Sequence, residues 1–286
     1  VHNAALRALD LDYCYLPFEA TTLAEFLPLL SEMRLAGLSV TLPHKEAILP
    51  HLDGLDETAR RVGAVNTVIK VWNRLEGRNT DVEAGLVPLR RRMTLRGARV
   101  AVMGAGGAAR ALVYGLSIEG ARVTIFNRTR SRARALARAF GVRHLPWDRL
   151  RHFPCDLVIN ATSVGLAPDS ESSPAPISWI RSPRVYDIIY NPPETRFLRE
   201  ARARGHQVVD GLEMFVEQAA AQFVLFTGRE APRDVMRETA LRGLGHEAVA
   251  AQAPGPASRP ADRVTRRARS SRAHAARRKT RRARGH

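Results

Sequence analysis

Val100-Ala101-Val102-Met103-Gly104-Ala105-Gly106-Gly107-Ala108-Ala109-Arg110 runs four apolar residues into a cluster of glycines and then into a helix-forming stretch. The apolar run reads as a short buried strand, and 108–116 as a helix with small residues on one face. A strand that turns through glycines into a helix start is the architecture of a dinucleotide-phosphate site. Gly104 permits the tight turn and Gly106 lets the backbone approach a pyrophosphate, while Ala105, Gly107 and Ala108 complete the loop. Ala109 is small enough for the helix to pack close on the strand. The free N–H groups of the helix start, with the positive end of its dipole, then face the phosphates.

The residues that follow choose between two cofactors. Arg122-Val123-Thr124-Ile125-Phe126 reads as a second strand, ending in Asn127-Arg128-Thr129-Arg130-Ser131-Arg132. A site for NAD places Asp or Glu at that strand end to hold the ribose 2′-hydroxyl. This chain has no acid there and three arginines instead. An acid would repel a 2′-phosphate, whereas Arg128 and Arg132 can grip one with charge-assisted forks, so NADP is expected. Arg130, Arg134 and Arg138 fit better as the solvated face of a helix over 131–140.

The charge of +17 over 286 residues looks like that of a nucleic-acid binder until it is located. Residues 246–286 carry eleven Arg and one Lys against Glu247 and Asp262, which leaves only a modest excess on the body. That tail has almost no large apolar residues, so it is expected to be a disordered basic appendage rather than a specific nucleic-acid site. Cys14 and Cys155 sit in apolar strand-like runs and are expected to be buried thiols of a reducing compartment. No apolar run approaches twenty residues and no signal peptide is visible, so a cytoplasmic protein is expected, without membrane contact. The histidines are scattered without ligand spacing, and no metal site is expected. The chain begins at Val1 rather than Met, which hints that its natural start is missing.

Strands alternate with helices along the chain, as in an α/β protein with mostly parallel sheets. The spacing predicts a helix over 2–9, strands over 13–18 and 37–41, a helix over 53–62 and a strand over 65–72. Asn73 and Gly77 bracket a turn. Thr22-Leu23-Ala24-Glu25 resembles a capping box opening a helix with Leu23, Phe26, Leu27 and Leu30 on one face, although Pro28 sits awkwardly in it. A helix starts at Asn79-Thr80-Asp81 and runs to about Met93. From 98 onward come strand, glycine turn, helix, strand 122–126, helix 131–140, strands 156–160 and 185–189, helix 194–204 and strand 207–210. The divisions expected are a substrate-binding domain over 1–80, a connecting helix over 81–97, a Rossmann-like domain over 98–210, C-terminal helices over 211–245 packing back on the first domain, and the tail over 246–286.

Six islands in register resemble shikimate dehydrogenase over about residues 2–244. They are Ser39-Val40-Thr41-Leu42-Pro43-His44-Lys45, Gly63-Ala64-Val65-Asn66-Thr67, Gly77-Arg78-Asn79-Thr80-Asp81, the Gly104–Ala109 loop with Asn127-Arg128-Thr129, Asn160-Ala161-Thr162-Ser163-Val164-Gly165, and Gly211-Leu212-Glu213-Met214 running on to Gln218. The resemblance implies reversible reduction of 3-dehydroshikimate to shikimate with NADPH, a step of aromatic amino-acid synthesis. It makes Lys45 and Asp81 the catalytic pair, residues that would otherwise read as a surface lysine and a helix N-cap. It places Thr41, Asn66, Tyr190 and Gln218 against the substrate, Ile188 and Gly211 near the nicotinamide, and Glu57 in contact with cofactor. Thr162 and Ser163 fall where strand 156–160 meets the cleft. A monomer and a homodimer suit the pattern equally.

There is one departure. The family opens with a strand followed by Ser-x-Ser-Pro-x-x-His-Asn, of which only His2-Asn3 stand here. The serines would bind the substrate carboxylate, at about 1.5–3 kcal/mol for each hydrogen bond to a charged group. A weakly active or inactive, poorly folded chain is therefore expected, while its full-length parent is expected to be an enzyme. Three other readings stay open: a quinate/shikimate dehydrogenase using NAD, the dehydrogenase half of a fused 3-dehydroquinate dehydratase–shikimate dehydrogenase, and a non-enzymatic Rossmann-like protein whose basic arm binds nucleic acid. The missing acid after Phe126 argues against the first, and the Lys45 and Asp81 islands would have no purpose in the last.

Overall fold

The computed structural model describes residues 1–20, 22–23, 26–28 and 33–252. Residues Ala24, Glu25 and Leu30 of the expected capped helix lie outside them, as does the tail beyond Gln252. The chain opens with α1 (His2–Ala8), followed by an irregular stretch in place of the expected strand over 13–18. A strand exists by pairing, and here Tyr15 is paired otherwise. Its N–H donates to Asn3 Oδ1 at 2.7 Å and its carbonyl accepts from Asn3 Nδ2 at 2.8 Å. Cys14, on this stretch, is consequently exposed rather than buried, while Cys155 is buried; both are free thiols.

β1 (Gly37–Ser39), α2 (His44–Ala47), β2 (Gly54–Leu55), α3 (Glu57–Val62), β3 (Thr67–Val71) and β4 (Arg74–Arg78) build the first sheet and its helices. The sheet order is β1-β3-β4-β2. β3 pairs antiparallel with both β1 and β4, and only β2 with β4 is parallel, so the expected mostly parallel sheet is corrected here. The cause is the two-residue turn at Trp72 and Asn73. A connection that short joins only antiparallel strands, and it makes a strand of 74–78, where a turn was expected through Gly77. The helix expected over 53–62 starts only at Glu57, because Asp56 caps it by accepting from the Ala59 N–H at 2.7 Å.

α4 (Asp81–Arg90) leads to the second sheet. Its elements are β5 (Arg99–Met103), α5 (Gly107–Ile118), β6 (Arg122–Phe126), α6 (Arg130–Phe140), β7 (Arg143–Leu145), β8 (Leu157–Asn160), β9 (Arg184–Asp187), α7 (Arg196–Ala203) and β10 (Gln207–Val209). Six strands run parallel in the order β10-β9-β8-β5-β6-β7. The chain leaves β5 first to one side and then returns to the other, so the crevice at the carboxyl ends of β5 and β8 is the switch point where doubly wound sheets bind nucleotides. Apolar clusters cover both faces, one around Val102, Leu112 and Leu116, the other around Met103, Phe126 and Phe197. α8 (Gly211–Thr227) then returns to pack on α4, β1 and β3. α8 and α9 (Arg233–Gln252) form a third cluster with α1, through Leu6, Phe223 and Met236. α9 thus runs past residue 245, where the basic tail was expected to begin. No helix among the described residues is long and apolar enough to cross a membrane.

Candidate active site

Lys45 and Asp81 meet. Lys45 Nζ lies 2.6 Å from Asp81 Oδ2, and the two side chains are 16% and 4% exposed. Asp81 occupies the first turn of α4, where its negative charge complements the helix dipole. The start of that helix is held by Asn79, whose Oδ1 accepts from the N–H groups of Asp81 and Val82 at 3.1 and 3.3 Å, and whose Nδ2 donates to Ala64 O at 2.8 Å. Asn66 completes the frame. Its Nδ2 donates to Asp81 Oδ1 and to Thr80 Oγ1, both at 2.8 Å, and its Oδ1 accepts from Thr67 Oγ1 and the Thr80 N–H. An amide has two donors and two acceptor lone pairs, so Asn66 is fully engaged in orienting Asp81. For Asn66 to contact a substrate hydroxyl it must exchange one of these bonds. On the other side, the Lys45 carbonyl accepts from the Val65 N–H at 2.8 Å.

The dinucleotide turn lies directly against this pair. Gly107 begins α5, and a Cβ built on it would sit 3.3 Å from both Cβ and Cδ of Lys45. Gly104 has φ of +115°, and a Cβ there would strike the Ala161 carbonyl at 2.5 Å; both facts restrict this position to glycine. Gly106 has nothing within 4 Å of its Cβ position. The turn is therefore packed behind Gly104 and clear at Gly106, which fits a pyrophosphate against the backbone. Ala109 is fully buried. Arg128 and Arg132 are exposed and form no ion pair with a carboxylate among the described residues. The Asn127 side chain shapes that loop by donating to Thr129 O at 2.9 Å.

α8 brings the remaining substrate candidates alongside. Thr80 Oγ1 donates to the Gln218 carbonyl at 3.4 Å, next to Asp81. Gln218 Nε2 donates to Phe215 O, and the Phe215 ring stacks on Tyr190 at 4.2 Å between centroids. Thr41 is exposed in the turn between β1 and α2, and its carbonyl accepts from the His44 N–H. Gly211 lies so close to Ile188 that a Cβ would meet the Ile188 carbonyl at 2.4 Å. Glu57 is the exception. It is exposed and ion-paired with Arg61 of its own helix at 2.9 Å, and among the described residues no hydrogen bond or ion pair links it to the glycine turn.

Residues 1–68 match the shikimate dehydrogenase substrate binding domain, 89–167 the shikimate / quinate 5-dehydrogenase domain, and 211–241 the shikimate 5′-dehydrogenase C-terminal domain. The shikimate dehydrogenase (NADP(+)) of Moorella thermoacetica is 42% identical over 280 residues, covering 90% of this chain and 91% of that protein. The chain belongs to the shikimate dehydrogenase family. Among solved structures, shikimate 5-dehydrogenase from Thermus thermophilus in complex with NADP(H) and shikimate matches with a TM-score of 0.75 at 41% identity, over 84% of this chain and 92% of that one. The 5-ketofructose reductase of a Gluconobacter strain matches with a TM-score of 0.74 at 36% identity, over 84% and 91%.

Two buried networks of this family member escape sequence reasoning. Gln222, on α8, donates through Nε2 to Asn66 O at 2.9 Å and Thr67 Oγ1 at 3.0 Å, and accepts from Ser39 Oγ at 2.8 Å. It ties α8 to β1 and β3 just behind Asn66. In the second sheet, Asp187 at the end of β9 accepts from Asn160 Nδ2, the Ile189 N–H and Thr195 Oγ1. Burial pushes its carboxyl up to about 6 despite these bonds. Asn160 in turn holds Thr162 through Oδ1, so the pair fixes the two strand ends that carry Thr162 and Ile188. Asn160 stood in a quoted island, but nothing in the sequence pointed to Asp187 as its partner.

Proposed function

We propose that this chain reduces the ring ketone of 3-dehydroshikimate to the hydroxyl of shikimate, reversibly and with NADPH. The observation that carries the proposal is the Lys45–Asp81 pair packed against Gly107. When bound, NADPH supplies the hydride. Residues 104–108 would hold its pyrophosphate, and Arg128 with Arg132 its 2′-phosphate. Negative charge then grows on the ketone oxygen, and a proton must arrive there. Lys45 Nζ donates that proton, while Asp81, itself oriented by Asn66 and the start of α4, fixes the direction of the ammonium. In the oxidation direction the hydroxyl proton returns to Lys45. Thr41, Tyr190 and Gln218 are assigned to the ring hydroxyls and the substrate-side wall, and Ile188 and Gly211 to the nicotinamide side.

The test is NADP-dependent oxidation of shikimate, followed at the nicotinamide absorbance, beside NADPH-dependent reduction of 5-ketofructose. Shikimate is expected to be the substrate. Lys45→Met should lower turnover by about 10²–10⁴, the usual worth of a positioned acid–base group, while NADPH still binds. Turnover of 5-ketofructose but not shikimate would move the assignment to another ketone; full activity in Lys45→Met would end the assigned role of the lysine.

A further inference from the structure

The glycine turn follows a strand of the second sheet and the catalytic pair lies beside the first; in addition to the packing of α4 on α5, one side chain reaches from the one to the other. Arg110 lies in the first turn of α5, its N–H donating to the Gly106 carbonyl at 2.9 Å. Its guanidinium reaches the end of α3, where Nε donates to the Val62 carbonyl at 2.8 Å. Val62 is the last residue of that helix, and its carbonyl has no intrahelical partner. Gly63 follows in the left-handed conformation, at φ +68°, and a Cβ there would stand 2.7 Å from Arg110 Nη2. Glycine thus serves twice at this position, as helix terminator and as clearance for the guanidinium. Cζ of Arg110 also lies 5.8 Å from the Phe140 ring centroid, at the end of α6. Arg110 forms no ion pair with a carboxylate among the described residues.

What comes directly after Gly63 is the frame of the catalytic pair. The Ala64 carbonyl accepts from Asn79, the Val65 N–H donates to the Lys45 carbonyl, and Asn66 holds Asp81. Fixing Val62 therefore fixes three consecutive anchors of Lys45 and Asp81. The other end of the same arginine is rooted one turn from Gly106 and Gly107. We propose that Arg110 is a positioning residue for hydride transfer: by clasping the end of α3 it holds the Lys45–Asp81 pair in register with the dinucleotide turn. This rests on the activity proposed above. A helix cap alone would affect folding; a clasp between donor side and acceptor side governs the chemical step as well.

The experiment compares wild type with Arg110→Met, Arg110→Lys and Phe140→Leu. It reads kcat and KM for shikimate at saturating NADP⁺, the isotope effect with shikimate deuterated at the carbinol carbon that is oxidised, NADPH affinity by fluorescence titration, and the melting midpoint. Arg110→Met should lose about tenfold or more in kcat with a raised isotope effect, since a misplacement near 1 Å costs up to about 10²-fold. NADPH affinity should stay within about threefold, which separates a lost transition-state alignment from lost binding. Arg110→Lys keeps the charge without the Nε fork and should recover only part of kcat, while Phe140→Leu keeps the bond to Val62 and should stay near wild type. The proposal is overturned if Arg110→Met retains wild-type kcat and isotope effect, if its NADPH affinity falls by the same factor as kcat, or if kcat falls only in proportion to the folded fraction. A wild type that turns over no shikimate removes the assigned activity and this proposal together; an active wild type matched by Arg110→Met removes this proposal alone.

Discussion

Arg128 and Arg132 show how much one side-chain charge can decide. Both extend into solvent beyond β6, with no carboxylate partner among the described residues, so no carboxylate among those residues competes for their forks. A 2′-phosphate placed there gains charge-assisted bonds, each worth about 1.5–3 kcal/mol, whereas the bare 2′-hydroxyl of NAD gains little. Replacing either arginine with alanine should raise KM for NADP⁺ by about 10- to 100-fold, the factor that the loss of one such bond carries. KM for NAD⁺ should be nearly unchanged. Steady-state rates with the two cofactors check this, and an equal loss with both would show that the arginines act on the fold rather than on the phosphate. Lys45 and Asp81 are a different case: each has an ordinary alternative as a surface lysine or a cap, and only their pairing at 2.6 Å shows them acting on each other.

Elements were legible where a local signal dictates them. The β5–turn–α5 unit is one such case, because the apolar run, Gly104 and the small residues of α5 each allow little else. β4 was not legible, since Arg74-Leu75-Glu76-Gly77-Arg78 has almost no apolar alternation and becomes a strand only by bonding to β3. The opposite error arose at Tyr13–Phe18, where β-forming residues remain irregular because Asn3 takes the backbone groups of Tyr15. In the site, the islands marked Lys45 and Asp81, but Gln222 is invisible in sequence because its partners lie far away along the chain, and Asp187 because only the pairing of β8 with β9 brings Asn160 to it. Asn79 lies between these cases, a turn-like residue whose double role appears only in the fold. Asn79→Ala removes the side-chain cap of α4 and leaves the buried Ala64 carbonyl without its donor. Loss of a cap costs about 0.5–2 kcal/mol, and an unsatisfied buried acceptor about 1–3. The melting midpoint should fall by about 4–10 °C for a chain of this size, with turnover reduced because Asp81 loses its fixed helix start. A scanning melt checks the first, and an unchanged midpoint would show that water replaces Asn79 without cost.

Stability against pH belongs to the molecule entire, and two buried groups pull it in opposite directions. His2, stacked on Tyr15 at 4.4 Å and buried beside Phe223, is lowered to about 4 by burial. The unfolded chain therefore takes up a proton that the folded one refuses, and stability drops as pH falls from 6.5 through about 4. Asp187 does the reverse. Its carboxyl is raised from 3.8 to about 6, so between those values the folded chain holds a proton that the unfolded chain has lost. That contribution is complete below about 3.8 and is lost as pH rises through about 6. Asp187→Asn cannot ionise; its Oδ1 still accepts from Asn160 and the Ile189 N–H, while its amide NH2 donates to Thr195 Oγ1 instead of accepting from it, a change that does not depend on pH. Subtracting wild type from this variant therefore leaves a pH slope in which His2 and every other shared group cancel. The variant should gain about 2 kcal/mol of unfolding free energy relative to wild type between about pH 4.5 and pH 7, at 1.36 kcal/mol per pH unit over the part of the window crossed. Urea unfolding at half-unit steps measures it. A difference that stays flat across the window would mean that the bonds from Asn160, Thr195 and Ile189 already compensate the burial of the charge, and a difference of opposite slope would mean that they exceed it.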